Sequence, residues 1–243
     1  MNTNYSSLEL SVVLPAYREA LALELLLPAL KAAVAQLTAS HEILVVDAQH
    51  SLDQTREVCF RNGVSHLFRR HGDFYGDAVR TGIEAARGEY ILFMDADGSH
   101  NPAHIASLWT HRRDFDVVIG SRYMQGGMTE NPAILVFMSW IVNAMFRTFC
   151  QVPCHDMTNS FRLYHGDRLR AVTLVSKNFD ILEELLIKLY SGTPRARLKE
   201  VPVVFERRKA GESKRRLLAF AATYLWTLGR LLRIRFTARG NGR

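Results

Sequence analysis

The chain has 243 residues, 48% hydrophobic and 23% charged, with a formal net charge of +7. That balance excludes a disordered or fibrous chain, and the length suffices for one large domain, or one domain with a short appendage. The charge is uneven: Arg195 to Arg243 holds fourteen Lys and Arg against Glu200, Glu206 and Glu212. A basic face toward phosphates, anionic lipid or nucleic acid is therefore expected, with a solvated tail as the plainer alternative.

The start, MNTNYSSLEL, has neither a basic segment nor an apolar run, so no signal peptide is expected and the protein is assigned to a reducing cytoplasm. Apolar runs then alternate with amphipathic ones. SVVLPAY precedes a helix from about Ala20 to Leu37; EILVVDA precedes a helix after Asp53; a weaker strand at His66 to Arg69 precedes a helix from Asp73 to Ala86. YILFMD follows, then a helix from Pro102 to Arg112 and the strand DVVIGSR. Strands apolar on both faces, joined by helical crossovers, predict an α/β fold with a mostly parallel sheet covered on both sides. Ligands of such sheets bind outside the carboxyl ends of the strands. Glu19 follows the first strand, Asp47 ends the second, and Asp95 and Asp97 end the fourth. Acids converging on one rim require a cation or a hydrogen-bonding ligand. The glycines of RRHGDFYGDAVRTGIEAARG match no phosphate-loop pattern, so Gly76 and Gly82 are read as letting a helix lie close to the sheet, with Asp73 near the ligand.

The second half is less regular. Ile134 to Phe146, interrupted by Ser139 and Asn143, reads as a helix, as does Asp180 to Tyr190. LKEVPVVFE reads as a strand and ERRKAGESKRR as a basic loop. Cys150, Cys154 and His155 have the spacing of half a zinc site, but no second cysteine pair completes it, and buried thiols are the default. No internal repeat or long linker occurs, giving a principal domain over residues 1–214 and a basic amphipathic helix and tail over 215–243. Leu217 to Gly229 is thirteen residues without charge, too short to span a bilayer. Arg215, Arg216, Arg230, Arg233 and Arg235 bracket it, and Phe220, Tyr224 and Trp226 suit a headgroup zone. A helix lying peripherally on an anionic membrane is expected, and packing on the domain or on a second copy is the alternative. Ile134 to Phe149 is either a second interfacial element or core.

Tyr90 to Asp97 runs an apolar strand into two aspartates at i and i+2, followed by a turn at Gly98. Hard oxygen ligands select Mg²⁺ or Mn²⁺, and a small octahedral cation held by one or two carboxylates completes its shell with water and substrate phosphates. VVLPAYRE, ILVVDAQHSLDQT, GEYILFMDADGSHNP, DVVIGSRYMQGG with SFRLY, and EVPVVFERRKAGESK, in that order from Ser11 to Lys214, resemble the inverting family 2 glycosyltransferases of GT-A fold, and within them the dolichyl-phosphate mannose synthase group. The resemblance implies that Pro15, Tyr17, Glu19, Val45 and Asp47 hold the base and ribose of a nucleotide-sugar donor. It places Ala96 beside the sugar nucleotide, and Asp95 and Asp97 on the metal. Arg122, with Arg208 and Lys214, would contact donor or acceptor phosphates. Asp156 and Glu184 align with acidic positions that serve the transfer or support the acceptor wall. Three departures stand out: Ala48 and His50 in DAQHS, Ser99 where a glutamine assists the metal, and Ile134, Leu135 and Val136 where a basic cluster grips the acceptor. A Ser99 hydroxyl or a water would fill the metal position, and Arg147 or the C-terminal arginines would replace the cluster.

Charge sets the expected mechanism. A lipid phosphate is already an anionic nucleophile near neutral pH and needs no general base, whereas a hydroxyl acceptor needs one from Asp156, Asp180, Glu183 or Glu184. Three functions remain at this level. One is transfer of a hexose, mannose from GDP-mannose among the options, to a polyprenyl phosphate at the cytoplasmic membrane face; the second is transfer to a hydroxyl; the third is a non-catalytic nucleotide-sugar or membrane-binding module. Nucleic acid is not expected, because the tail arginines interleave with aliphatic residues and no nucleic-acid module is present.

Overall fold

The computed structural model describes residues 8–206 and 229–230. The expected α/β alternation is present. β1 (Leu10–Pro15), α1 (Ala20–Ala35), β2 (His41–Asp47), α2 (Thr55–Asn62), β3 (Ser65–Phe68), α3 (Tyr75–Ala85) and β4 (Tyr90–Phe93) build the first half. A 3-10 turn at Pro102–His104, α4 (Ile105–Thr110), β5 (Val117–Ser121), β6 (Met128–Thr129) and α5 (Ala133–Cys150) follow. β7 (Arg162–His165), α6 (Gly166–Arg170), α7 (Ile181–Ser191), β8 (Leu198–Pro202) and β9 (Val204–Phe205) complete the described chain.

The main sheet has seven strands in the order β3-β2-β1-β4-β7-β5-β8. Every pairing is parallel except those of β7, which runs antiparallel between β4 and β5. The antiparallel strand was not expected, because SFRLY places a buried arginine where a central strand would be apolar. LKEVPVVFE, expected as one strand, divides: β8 stays in the main sheet, and β9 pairs with β6 in a separate two-stranded ribbon.

The double apolar parity of the strands has its cause in two cores. Val12 and Leu14 of β1, with Val45 of β2 and Leu92 of β4, pack under Leu23, Leu27 and Leu30 of α1 and Leu108 of α4. Val13, Val46, Ile91 and Phe93 point the other way, against Ala78 and Val79 of α3, Phe146 of α5 and Leu185 of α7. α3 lies close to the sheet because a Cβ at Gly82 would collide with Val13. Gly76 serves a different contact: a Cβ there would strike the backbone of Ser176 and Lys177 instead of the sheet. Strands β2 and β3 lie on one side of β1, and β4 lies on the other. That reversal opens a crevice at the carboxyl ends of β1 and β4, where a doubly wound sheet binds its ligand.

Candidate active site

Loops after β1, β2 and β4 line the crevice. Pro15 closes β1 in register with Val46. Tyr17 stands exposed, with the guanidinium carbon of Arg69 5.7 Å from its ring centre and that of Arg18 at 5.8 Å. Glu19 begins α1 and accepts Leu23 N–H on its backbone oxygen. Asp47 is buried: its Oδ1 accepts the Ala48 N–H at 2.8 Å and its Oδ2 lies 3.2 Å from His66 Nε2. The loop after it is pinned by Asp73, which accepts the Gln49 N–H at 3.1 Å. This holds Asp73 against the loop that follows β2, in which Ala48 is buried.

His66 and Arg69 were not singled out by sequence. Arg69 is buried, donating to the Ala16 and Asp73 backbone oxygens at 2.6 Å each. Burial lowers its pKa, against the opposing pull of Asp73, Asp47 and Asp77. The available signal was its position: a cation at the end of β3, beside acids that end β2.

β4 stops at Phe93, so the acidic pair sits in a turn beyond the strand. Asp95 N–H donates to His100 Nδ1 at 3.1 Å, and Asp95 Oδ1 accepts the Ser160 hydroxyl at 2.7 Å. Asp97 Oδ1 accepts both the backbone N–H and the hydroxyl of Ser99, at 3.0 and 2.6 Å. Gly98 at φ 77° supplies the left-handed residue that curls this loop. No arginine or lysine pairs with Asp95 among the described residues. Each carboxylate has one oxygen fixed by a serine, so the pair offers hard oxygen donors in a set orientation. No group of three or more His, Cys, Asp and Glu side chains is assembled among the described residues. The donor set thus fits Mg²⁺ or Mn²⁺ bound by two carboxylates with the remaining ligands from phosphate and water, and Cys150, Cys154 and His155 belong to no such group among the described residues. His155 pairs with Glu200, while both cysteines are buried.

Several of the expected residues are buried or already engaged within the protein. Val45 and Ala96 are buried in the core beneath α1, so their side chains present nothing to a ligand. Ser99 is buried with its hydroxyl given to Asp97, so it orients a carboxylate and is not poised as a separate metal ligand. Arg122 is held by a carboxylate. Its Nε and Nη2 form a two-pronged pair with Asp156 at 2.8 and 2.7 Å, and Nη2 also donates to Thr158 Oγ1 at 2.9 Å. Burial would raise the Asp156 pKa, but Arg122 brings it below the ordinary carboxylate value. Fully buried and ion-paired, this carboxylate is a weak base with no open path to an acceptor hydroxyl. Glu184 is likewise buried, accepts the N–H groups of Val175 and Ser176, and pairs with Lys188 at 2.6 Å. Desolvation works to raise its pKa, and Lys188 and Ser176 prevail and lower it. Glu184 therefore anchors the loop before α7.

Glu183 is buried on the same helix, and Asp180 pairs with Arg230. That pair, with a hydrogen bond from Arg230 to Ser176, attaches the described part of the C-terminal region to the domain. Arg208 and Lys214, and nearly all of the expected amphipathic tail, lie outside the described residues.

α5 lies beside this acid-base cluster. Its Asn143 accepts the Met157 N–H at 2.7 Å and donates to Thr158 Oγ1 at 3.3 Å, which explains the polar interruption of an apolar run. Val142, Phe146 and Cys150 are buried, but Ile134, Phe137 and Trp140 remain 59%, 58% and 54% exposed. The helix is long and apolar enough to cross a membrane by length and composition.

The model for glycosyl transferase family 2 matches residues 11–169. Undecaprenyl-phosphate mannosyltransferase of Micrococcus luteus is 32% identical over 216 residues, covering 83% of this chain and 85% of that protein. Dolichol-phosphate mannosyltransferase of Saccharomyces cerevisiae is 29% identical, covering 86% of this chain and 81% of its own. Glucosyl-3-phosphoglycerate synthase of Mycobacterium tuberculosis, solved with Mn²⁺ and UDP, superposes with a TM-score of 0.70 at 16% identity over 97% of this chain and 81% of that one. The last likeness establishes a shared GT-A fold.

Proposed function

The chain belongs to glycosyl transferase family 2, and from that premise we propose that this glycosyltransferase moves a hexose, mannose from GDP-mannose, onto a polyprenyl phosphate at the cytoplasmic face of a membrane. Both named relatives are mannosyltransferases whose lipid is a prenyl phosphate. The observation that carries the choice of acceptor is the state of the acids. Asp156, Asp180 and Glu184 are held in ion pairs, and Glu183 is buried. A hydroxyl acceptor would need one of them as its base, whereas a phosphate acceptor arrives already deprotonated. The exposed apolar face of α5 supports a lipid substrate, since an apolar surface of that extent favours a membrane or a prenyl chain over water.

In this reading Asp95 and Asp97 hold the divalent ion, and that ion, when bound, supplies positive charge to the diphosphate leaving group. The chain's own groups hold the rest. Tyr17, with Arg69 behind it, and Asp47, held by His66, form the nucleoside end of the crevice. Arg208 and Lys214 contribute cations to donor or acceptor phosphates. Asp156 keeps Arg122 oriented beside α5, where the acceptor headgroup would approach. Displacement from the face opposite the diphosphate inverts the anomeric centre.

The test uses the full chain in detergent with radiolabelled GDP-mannose and UDP-glucose, Mn²⁺ or Mg²⁺, and undecaprenyl phosphate, dolichyl phosphate or the matching alcohols. Label should enter the organic phase only with a prenyl phosphate, and Asp97→Ala should lower the rate at least about a thousandfold. Equal transfer to the prenyl alcohol, or undiminished turnover by Asp97→Ala, would overturn the assignment.

A further inference from the structure

The five residues Asp156 to Ser160 link groups that lie far apart in the chain: Asp95, His100, Arg122 and Asn143. Asp156 takes Arg122 by two prongs and also accepts its backbone N–H at 2.9 Å. Met157 N–H donates to Asn143 of α5, and Thr158 accepts from Arg122. Asn159 Nδ2 donates to the Gly120 backbone oxygen at 2.6 Å, and its Oδ1 accepts from His100 Nε2 at 3.0 Å. Ser160 donates to Asp95. Since His100 Nδ1 accepts the Asp95 N–H, Nε2 is the nitrogen that donates to Asn159, and the ring relays Asn159 to the Asp95 backbone. His100 is fixed in plane by stacking on Phe161, with ring centres 4.9 Å apart, and by the edge of Phe205.

We propose that this strip is the positioning element of the site: Ser160, together with Asn159 acting through His100, sets the carboxylate and backbone of Asp95, while Asp156 sets Arg122. One short segment then holds the metal-side and acceptor-side groups in register. The assignment rests on the reading of Asp95 and Asp97 as the ion-holding pair. Its physical basis is that a carboxylate with one oxygen hydrogen-bonded to a buried hydroxyl loses its freedom to rotate, so the other oxygen is presented in one direction. Neither Ser160 nor Asn159 need touch substrate, and both are buried.

The experiment measures Mn²⁺ bound to the full chain by electron paramagnetic resonance, in the presence of saturating GDP or UDP, alongside the melting temperature. Ser160→Ala should weaken Mn²⁺ binding about tenfold or more, and Ser160→Thr, which keeps the hydroxyl, should restore most of it. His100→Phe, which retains the aromatic stacking and deletes the two polar contacts, should weaken it in the same direction and keeps the measurement possible if Ser160→Ala does not fold. Combining His100→Phe with Asn159→Ala should cost no more than the first change alone, because both interrupt one relay. Asp156→Asn should leave Mn²⁺ binding within about twofold of wild type and raise the KM for prenyl phosphate. Folded Ser160→Ala or His100→Phe protein with wild-type Mn²⁺ affinity overturns the positioning role alone. A wild-type chain that binds no Mn²⁺ with either nucleotide overturns this role and the proposed function together.

Discussion

Asp156 and Glu184 show how little a carboxylate's position in sequence says about its task. Both are ionised in the fold with pKa values held below the ordinary ones. A depressed pKa contributes stability that is complete above the unfolded value, about 4 for these groups, and disappears as pH falls through the lower folded value. Urea unfolding should therefore give similar free energies between pH 7 and 5 and a steep decline below about pH 4. Asp156→Asn should flatten part of that decline while costing about 3 kcal/mol at pH 7, because it leaves Arg122 buried without its counter-charge. A loss below about 0.5 kcal/mol at pH 7 would show that the pair contributes no more than an exposed one. The buried cysteines invite a simpler measurement. Burial, reinforced by Asp47, pushes the Cys59 thiol up to about 12, and burial also raises Cys154. Neither should react with a thiol reagent at pH 7.5 until the protein unfolds, and fast stoichiometric labelling of native protein would contradict this burial. The acid pair Asp95 and Asp97 was legible because an apolar strand ran directly into it. The pairing of Arg122 with Asp156, 34 residues apart, was not, since no local pattern announces a tertiary contact.

Helices and strands were legible wherever burial had a period. β1, β2 and β4 declared themselves by apolar residues at both parities, and two cores account for that. β7 did not, because Arg162 sits wholly buried in it, donating to the backbone oxygens of Leu182 and Met157. Hydrogen bonds to backbone carbonyl oxygens satisfy the guanidinium where pattern reading looks for an apolar side chain. α5 divides the two alternatives raised by its sequence: one stripe is core and the other is uncovered. Trp140→Ser combined with Phe137→Ser should lower partition of the full chain onto anionic vesicles at least about tenfold, as the loss of large buried aromatic area requires, while the melting temperature changes little. Unchanged partition would remove α5 from the membrane contact. Gly82→Ala tests α3: the added methyl must displace Val13, at a cost of about 1–3 kcal/mol, despite alanine's better helix propensity.

At the scale of the whole molecule, the proposed function makes the rim a receptor for an ion–nucleotide complex in place of a bare ion. With no third side-chain ligand assembled among the described residues, affinity for a lone cation should be small. Mn²⁺ at 1 mM should shift the melting temperature by less than about 1 °C, and Mn²⁺ with GDP at a hundred times its dissociation constant should add about 2–4 °C. An equal shift from the ion alone would point to ligands beyond Asp95 and Asp97. The α/β class and the crevice at the carboxyl ends followed from alternation alone. The inserted β7, the β6–β9 ribbon and the docking of Arg230 on Asp180 depend on contacts between distant segments, which carry no local signature.

The reversed course of β7 has a temporal corollary. A strand running against its neighbours delivers its entering segment, not its departing one, to the edge where the acids lie, so Ser160 reaches Asp95 across 65 positions of chain. During synthesis the β1–β4 half can collapse on its own hydrophobic faces, and Asp97 finds its brace locally in Ser99, yet Asp95 lacks its serine partner until residue 165 has emerged. The orientation of Asp95, and with it the proposed ion site, should thus be completed late.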